Sequence, residues 1–306
     1  MACPALSFLI SHPSGQKTLF DLSIRRDLDN LAPKVLESVQ RPAHDWHVSV
    51  PQDVSDVLVA NGMSLSEVNT IIWSHPHFDH VGNPSLFPKS TDLVVGPGFK
   101  KAFGDGYPRQ QDAPVLGSDW QGRTLDELDF EKDPRGLSIG MFRAIDWFGD
   151  GSFYILNTPG HAIGHLCGLA RVQSDSFILM AADCAHHPGV LRPSQHVPLP
   201  YEISPSSLPQ HWSAGERNTP FYRPAKQFAF NYEECLQTLS GIEVLDADEN
   251  IFTILAHDHP VLSVLQEKDA NGKTWVFPDK PLDTWKAGQL KDLTQWRFLR
   301  DFGVDV

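Results

Sequence analysis

The chain of 306 residues contains little cysteine and no cysteine motif. Its four cysteines, Cys3, Cys167, Cys184 and Cys235, are scattered, and no Cys-x-x-Cys pair occurs. This usage excludes a dense disulfide framework and a cysteine-based zinc motif. It is typical of a reducing compartment, in which most thiols are buried as small hydrophobic side chains.

Long hydrophobic runs and an excess of basic residues are also missing. No run reaches the ~18 apolar residues that cross a bilayer, and the first apolar stretch carries no basic leader. We therefore expect a cytoplasmic protein with no membrane partner. The chain has 38 acidic and 25 basic residues, a net charge of −13. That charge disfavours a phosphate-binding surface, so nucleic acid is not expected as a partner.

Neither an internal repeat nor a low-complexity segment marks a domain boundary. The candidate elements and ligands run through the whole sequence, which predicts a single domain over residues 1–306. Two stretches, 96–150 and 184–230, are rich in glycine or proline and are predicted to be irregular inserted loops. Loops of this length are often lids or binding loops, although surface decoration or a subunit contact is the alternative.

Hydrophobic patterning predicts the secondary structure that carries these loops. The predicted elements are a hairpin within 5–22, a helix over 52–61, strands over 67–74, 152–158, 165–171, 176–182 and 251–256, and helices over 227–240 and 283–302. The last helix is predicted from a core-facing stripe at helical spacing, formed by Leu290, Leu293, Trp296, Leu299 and Phe302.

The most informative feature present is the run His75-Pro76-His77-Phe78-Asp79-His80, which directly follows a predicted strand. Imidazole and carboxylate groups are ligands of first-row metals, and two divalent ions held close together turn water into a nucleophile at neutral pH. The run therefore predicts a metal site on a loop at a strand end.

Three further candidate ligands, His161, Asp183 and His257, each follow an apolar stretch. One such residue means little, because a satisfied structural side chain is the commoner case. Their repetition predicts that the ligands gather along one edge of the sheets.

In motif order the sequence resembles the metallo-β-lactamase superfamily over about residues 5–260. The motifs are His75-Pro76-His77-Phe78-Asp79-His80, Thr158-Pro159-Gly160-His161, Ala182-Asp183 and Ala256-His257-Asp258. The resemblance implies an α/β fold, an αββα sandwich of two mixed β-sheets with helices on the outer faces.

The resemblance also implies a ligand set for two zinc ions, with iron or manganese as alternatives. In that family pattern His75, His77 and His161 bind one ion, and Asp79, His80 and His257 bind the second. Asp183 bridges the two ions. Flavin-linked diiron relatives carry a carboxylate where His77 stands, which favours zinc hydrolysis over redox chemistry.

Within the superfamily, the unbroken set resembles the N-acyl homoserine lactonase branch and its fungal relatives, some of which open lactam or lactone rings of benzoxazinoid-type compounds. This implies a hydrolase that opens a cyclic ester or cyclic amide of a small molecule through a metal-bridging hydroxide, with Asp79 also moving a proton to the leaving group. The β-lactam-degrading branch places a cysteine at one ligand, so an antibiotic is not the expected substrate.

Further candidate residues come partly from the resemblance and partly from their positions in the sequence. Lactonases commonly carry a tyrosine three residues after the bridging aspartate, and here His186 stands at that position. Either His186 is the catalytic donor to the substrate carbonyl in its place, or the substrate differs. Substrate contacts are predicted for Tyr107, Tyr201 and Tyr222. Asp21, His165 and Asp258 are predicted to support the ligands without binding metal themselves. Asp258 is predicted to do so by accepting the proton of a ligand imidazole.

Two other functions stay open on the sequence alone. One is a thioesterase or glyoxalase-II-like hydrolase on the same scaffold, and the other is a metal-binding protein without turnover. A monomer and a homodimer are equally compatible with the sequence.

Overall fold

The computed structural model describes residues 3–41, 47–203, 208 and 216–304. The chain forms two compact units. The N-terminal unit comprises Ala5–Gly136 and Ala162–Leu166, and the C-terminal unit comprises Met1–Pro4, Leu137–His161 and Cys167–Val306. This division does not test the single-domain prediction, which stays a prediction.

A five-stranded mixed sheet forms the centre of the N-terminal unit, in the order β1-β2-β3-β4-β5. The first two strands pair antiparallel as the predicted hairpin, and the remaining neighbours pair parallel. Leu19, Ile71 and Leu93 lie side by side in this sheet and are fully buried. The strands are β1 (Phe8–Ser11), β2 (Lys17–Phe20), β3 (Thr70–Ile72), β4 (Asp92–Val95) and β5 (Leu125–Glu127).

Short helices connect these strands. The predicted helix over 52–61 is confirmed as α2, which begins at a capping box between Asp53 and Asp56. The α-helices of this unit are α1 (Pro33–Val39), α2 (Val54–Ala60), α3 (Phe78–Val81) and α4 (Phe99–Phe103). Its 3-10 helices are Leu28–Asn30, Leu65–Glu67, Pro84–Leu86 and Gly117–Asp119.

The sheet of the C-terminal unit has six strands in the order β11-β10-β9-β8-β7-β6. It is also mixed, because β10 pairs antiparallel with β9 and parallel with β11. The strands are β6 (Gly136–Ile139), β7 (Phe142–Asp146), β8 (Phe153–Asn157), β9 (Leu166–Gln173), β10 (Ser176–Ala182) and β11 (Ile251–Leu255). The predicted α/β class with two mixed sheets is confirmed.

One long helix covers part of this sheet, since Leu239 and Ile242 pack with Leu156 and Leu179 in a common core. The α-helices are α5 (Pro188–Leu191), α6 (Tyr232–Asp246), α7 (His259–Leu265) and α8 (Leu290–Thr294). The 3-10 helices are Lys226–Phe228, Leu282–Thr284 and Arg297–Phe302. Among the described residues, no helix is both long enough and apolar enough to cross a bilayer.

Three predictions of local structure were wrong. The stretch 96–150 is not an irregular loop, because it contains α4 and the strands β5, β6 and β7. The predicted helix over 283–302 is broken, since Gln289 adopts a left-handed conformation with φ of 54° and α8 begins only after it. Leu293 of the predicted stripe is consequently 53% exposed, although Leu290 and Leu299 are buried.

The third error concerns the helix predicted over 227–240. The α-helix begins at Tyr232, because the side chain of Asn231 caps it by accepting the amide of Glu234. In the stretch 184–230, residues 204–207 and 209–215 lie outside the described part of the chain. The described remainder contains α5 and one 3-10 turn, and its role as a lid or contact stays a prediction.

Candidate metal centre

In the N-terminal unit, the histidine-rich run begins three residues after β3. His75 and His77 precede the short helix α3, and this helix carries Asp79 and His80. The segment that follows β2 pairs with it, since the amide of Leu22 donates to the His80 carbonyl at 2.8 Å. Gly82 makes this approach possible, because a Cβ there would lie 2.4 Å from the Leu22 carbonyl oxygen.

A buried hydrogen-bond network orients two of these imidazoles. Asp21 accepts the amide of Ser74 at 2.6 Å and its hydroxyl at 2.7 Å, and it also accepts His80 Nδ1–H at 2.8 Å. The Ser74 hydroxyl in turn accepts His75 Nδ1–H at 2.9 Å. Each ring therefore has its Nδ1 engaged, so its Nε2 is the atom suited to bind a metal.

The other predicted residues of this unit lie near the same rings. His77 Nδ1 is 3.0 Å from His75 Nε2, and the buried His165 ring lies 5.2 Å from that of His75. Asp79 occupies the first turn of α3 and is half-buried. Asp21 and His165 thus contact or neighbour the candidate ligands, and their supporting role stays a prediction.

In the C-terminal unit, two parallel strands bring a second set of candidate ligands together. Strands β10 and β11 end side by side, and the amide of Ala256 donates to the Ala182 carbonyl at 3.0 Å. Asp183 and His257 follow these two ends. Ala182 has a φ of 43°, a strained value for a residue with a Cβ, at the position that directs Asp183 out of the strand.

Three imidazoles converge on the buried Asp183 carboxylate. The Nε2 atoms of His186 and His257 each lie 3.1 Å from one of its oxygens, and His161 Nε2 lies 3.4 Å away. One ligand atom from each of Asp183, His186 and His257 falls within 4.8 Å of the others. A carboxylate shared by several imidazole nitrogens fits a first-row divalent cation such as zinc.

The orientation of His257 follows from the backbone rather than from a carboxylate. Its Nδ1–H donates to the Pro4 carbonyl at 2.6 Å. Asp258 caps α7 by accepting the amide of Val261 at 3.1 Å, and its predicted role of accepting an imidazole proton stays a prediction. Burial raises the pKa of the Asp258 carboxyl to about 6.

His161 is held by the approach of α6 to the end of β8. The amide of Phe230 donates to the His161 carbonyl at 2.9 Å, and Asn231 donates to Gly160 at 2.8 Å. A Cβ at Gly160 would lie 2.2 Å from the Cys235 amide nitrogen, so only glycine permits this packing.

The predicted substrate tyrosines lie in different environments. Tyr107 lies in the N-terminal unit, where it forms a β-bridge with Leu116. Tyr201 is 87% exposed and stacks with the guanidinium of Arg217. Tyr222 packs against the ring of His187 at 5.4 Å. None of these contacts tests a role in substrate binding, which stays a prediction.

Cys184, the residue after Asp183, points into the core. Its Sγ lies 3.3 Å from that of Cys167, and burial raises the pKa of the Cys184 thiol well above its usual value.

Sequence reasoning missed several contributors to the two sets of ligands. Ser74 precedes His75 and could have been noticed as a small hydroxyl beside a ligand, whereas the Pro4 carbonyl leaves no sequence signal. The ring of Phe228, which lies in the stretch 184–230, is 53% exposed and lies 6.3 Å from that of His186.

Comparison with known proteins agrees with the motif order. Residues 2–174 match the family model of the metallo-beta-lactamase superfamily. The fold is similar to that of a mutant of AiiA from B. thuringiensis, crystallised with N-decanoyl-L-homoserine at its active site. The similarity has a TM-score of 0.55 at 15% sequence identity, over 85% of this chain and 84% of that one.

Curated relatives resemble the chain over nearly its whole length. The gamma-lactamase FDB1 of Fusarium pseudograminearum is 39% identical, over 97% of this chain and 74% of that protein. The cytochrome P450 monooxygenase mpaDE' of Penicillium brevicompactum is also 39% identical, over 98% of this chain. The chain spans only 34% of the length of mpaDE'.

Proposed function

Because the chain belongs to the metallo-β-lactamase superfamily, we propose that it is a metal-dependent hydrolase that opens a cyclic ester or a cyclic amide. The observation that carries this proposal is the convergence of three imidazole nitrogens on the buried Asp183 carboxylate. Burying a carboxylate in this arrangement is unfavourable in free energy unless a cation balances its charge. The imidazole and carboxylate groups are also the ligand types of hydrolytic zinc enzymes.

The proposed ligand set follows the family pattern. His75, His77 and His161 would hold one zinc ion, Asp79, His80 and His257 would hold a second, and Asp183 would be shared by both. Support comes from the Asp21–Ser74 network, which engages Nδ1 of both His75 and His80, and from the Pro4 carbonyl, which does the same for His257.

When bound, divalent ions supply Lewis-acid activation of water and of the substrate carbonyl. The chain's own residues supply proton transfer and orientation. Asp79 is half-buried on the first turn of α3, where a carboxylate can pass a proton to the departing oxygen or nitrogen. The side chain of His186 is 44% exposed, so its ring is accessible to a substrate carbonyl.

Within this class, the substrate we propose is a small lactam or lactone that carries an aromatic or apolar group. The exposed ring of Phe228 beside His186 offers an apolar surface at the ligands. A relative named as a gamma-lactamase supports the lactam class, and the net charge of −13 disfavours polyanionic substrates. A cytoplasmic location belongs to the same proposal.

The test is a panel of one acyl homoserine lactone, one benzoxazolinone-type lactam and one thioester, with Asp183→Asn and His77→Ala as variants. We expect ring opening by the zinc-loaded wild type and loss of both metal and turnover in each variant. His47→Ala changes an exposed histidine outside the ligand set and serves as the matched control.

Full turnover by a metal-free His77→Ala protein would contradict the mechanism. Cleavage of the thioester alone would replace the lactam and lactone substrates by the thioesterase alternative.

A further inference from the structure

A single carboxylate near the end of the chain joins two of the segments that follow the candidate ligands. Asp301 lies on the 3-10 helix Arg297–Phe302, and its two oxygens contact different imidazoles. One oxygen is 3.0 Å from His187 Nε2 and the other is 3.1 Å from His259 Nε2. All three residues belong to the C-terminal unit.

The two histidines sit at informative places in the chain. His187 lies four residues after Asp183 and caps α5, and His259 lies two residues after His257 and is the first residue of α7. Strands β10 and β11 therefore each lead first to a candidate ligand and then to a contact with Asp301.

The hydrogen bonds fix the direction of donation at His187. The amide of Gly189 donates to His187 Nδ1 at 2.9 Å, so the proton of the neutral ring is on Nε2 and points at Asp301. Burial lowers the pKa of His187, although Asp301 opposes this effect, so the ring is favoured in its neutral form.

Aromatic packing covers the His187 side of this bridge, whereas the His259 side chain is 26% exposed. The His187 ring contacts Phe298, Phe302 and Tyr222, and the Asp301 side chain is only 15% exposed. A hydrogen bond between partly desolvated groups, one of them charged, restrains both partners more strongly than a surface contact does.

We propose that Asp301 is a positioning residue, whose carboxylate holds the loops after β10 and β11 in the geometry in which Asp183 and His257 bind metal. The role in metal binding rests on the proposed function, whereas the contact of Asp301 with His187 and His259 does not depend on it. It assigns a role in the site to the C-terminal 3-10 helix, which contains none of the seven proposed ligands.

The test compares Asp301→Ala with Asp133→Ala. Asp133 is a matched control, because its side chain is also 15% exposed and pairs with Arg135 outside both loops. Zinc affinity is measured by competition with a chromophoric chelator. Loss of a partner of a direct ligand typically costs 10–100-fold, so for Asp301, one layer further out, we expect zinc binding weaker by up to about 10-fold.

A second readout does not depend on metal. In metal-free Asp301→Ala, we expect faster amide hydrogen exchange confined to residues 184–191 and 257–262, with no change in strands β8 and β9. The variant Asp301→Asn retains an oxygen that can accept His187 Nε2–H, so it should recover part of both effects.

A double variant tests whether Asp301 acts through His187. His187→Asn keeps an acceptor for the Gly189 amide but is too short to reach Asp301. If the two residues act together, the double variant His187→Asn/Asp301→Ala should bind zinc no more weakly than Asp301→Ala alone.

Three results would overturn the proposal. These are unchanged zinc affinity in Asp301→Ala, unchanged exchange in both segments, or faster exchange throughout the unit, which would mark a merely structural role. A wild type that binds no zinc would overturn the proposed function, and the exchange pattern would then still decide whether Asp301 holds the two loops.

Discussion

At the scale of residues, the site depends on side chains that orient the candidate ligands. Asp21 is buried, adopts a left-handed φ of 61°, and accepts three hydrogen bonds from Ser74 and His80. Aspartate tolerates this backbone conformation better than most residues, so one position satisfies both the turn and the network. The carboxylate thereby fixes which nitrogen of His80 remains for a metal.

His186 carries the first prediction at this scale. His186→Ala should keep its zinc, because the proposed ligand set does not include it, while kcat falls by about 10²-fold if it donates to the developing oxyanion. His186→Tyr places the tyrosine typical of lactonases at the same position and should recover much of the activity. Zinc content and steady-state kinetics measure both effects.

Loss of zinc from His186→Ala would show instead that His186 is a ligand, which its distance of 3.1 Å from Asp183 permits. Unchanged kcat with a full zinc content would contradict any catalytic role.

The sequence indicates the candidate ligands themselves more readily than the groups to which they are hydrogen-bonded. The histidine-rich run, His161, Asp183 and His257 are recognisable because each follows an apolar stretch. The partner of His257 could not be predicted, because it is the backbone carbonyl of Pro4, about 250 residues away in the chain. The contact between Asp301 and His187 could not be predicted either, because these two residues are also far apart in the sequence.

At the scale of elements, strands were easier to predict than helices. The apolar runs that became β10 and β11 are buried almost completely, and the three apolar aliphatic and phenylalanine residues of β8 are buried as well, so their pattern is strong. The helix predicted over 283–302 failed because periodicity describes side chains only, whereas the left-handed backbone at Gln289 breaks the element. Capping by Asn231 likewise explains why α6 begins at Tyr232 and not at residue 227 as predicted.

Helix α6 carries the second prediction. Burial, with a smaller contribution from Asp246, raises the pKa of Glu243 to about 7. The folded state therefore binds more protons than the unfolded state between about pH 4.5 and 7, so Glu243 lowers stability progressively as the pH rises through that window. Above pH 7 the full cost remains.

Glu243→Gln should consequently be more stable than the wild type at pH 8, by up to about 1 kcal/mol after allowance for partial solvent exposure. The difference should shrink towards pH 5, and denaturant unfolding at both pH values measures it. Glu233→Gln, at an exposed position of the same helix, is the control. A difference that does not change between the two pH values would contradict the assignment.

At the scale of the whole molecule, the candidate ligands are distributed over the entire fold. The N-terminal unit contains His75, His77, Asp79 and His80, and the C-terminal unit contains His161, Asp183 and His257. In each unit the candidate ligands lie beyond strand ends of a mixed sheet. The resemblance in motif order predicted this fold class, because strand-then-ligand segments recur in a fixed order along the chain.

The division into two units was not predictable from composition. The short segment Ala162–Leu166 belongs to the N-terminal unit although His161 and Cys167 belong to the other. The amide of Leu166 donates to the Ser74 carbonyl at 2.8 Å, a long-range backbone contact that hydrophobic patterning cannot reveal.

The most direct test of the central claim is the metal content of the wild-type protein, measured by mass spectrometry after purification without added metal and paired with hydrolysis of a benzoxazolinone-type lactam. The account predicts about two zinc ions per chain and ring opening that is lost on chelation and restored by zinc. Less than one metal ion per chain, or lactam opening that survives complete removal of metal, would contradict it.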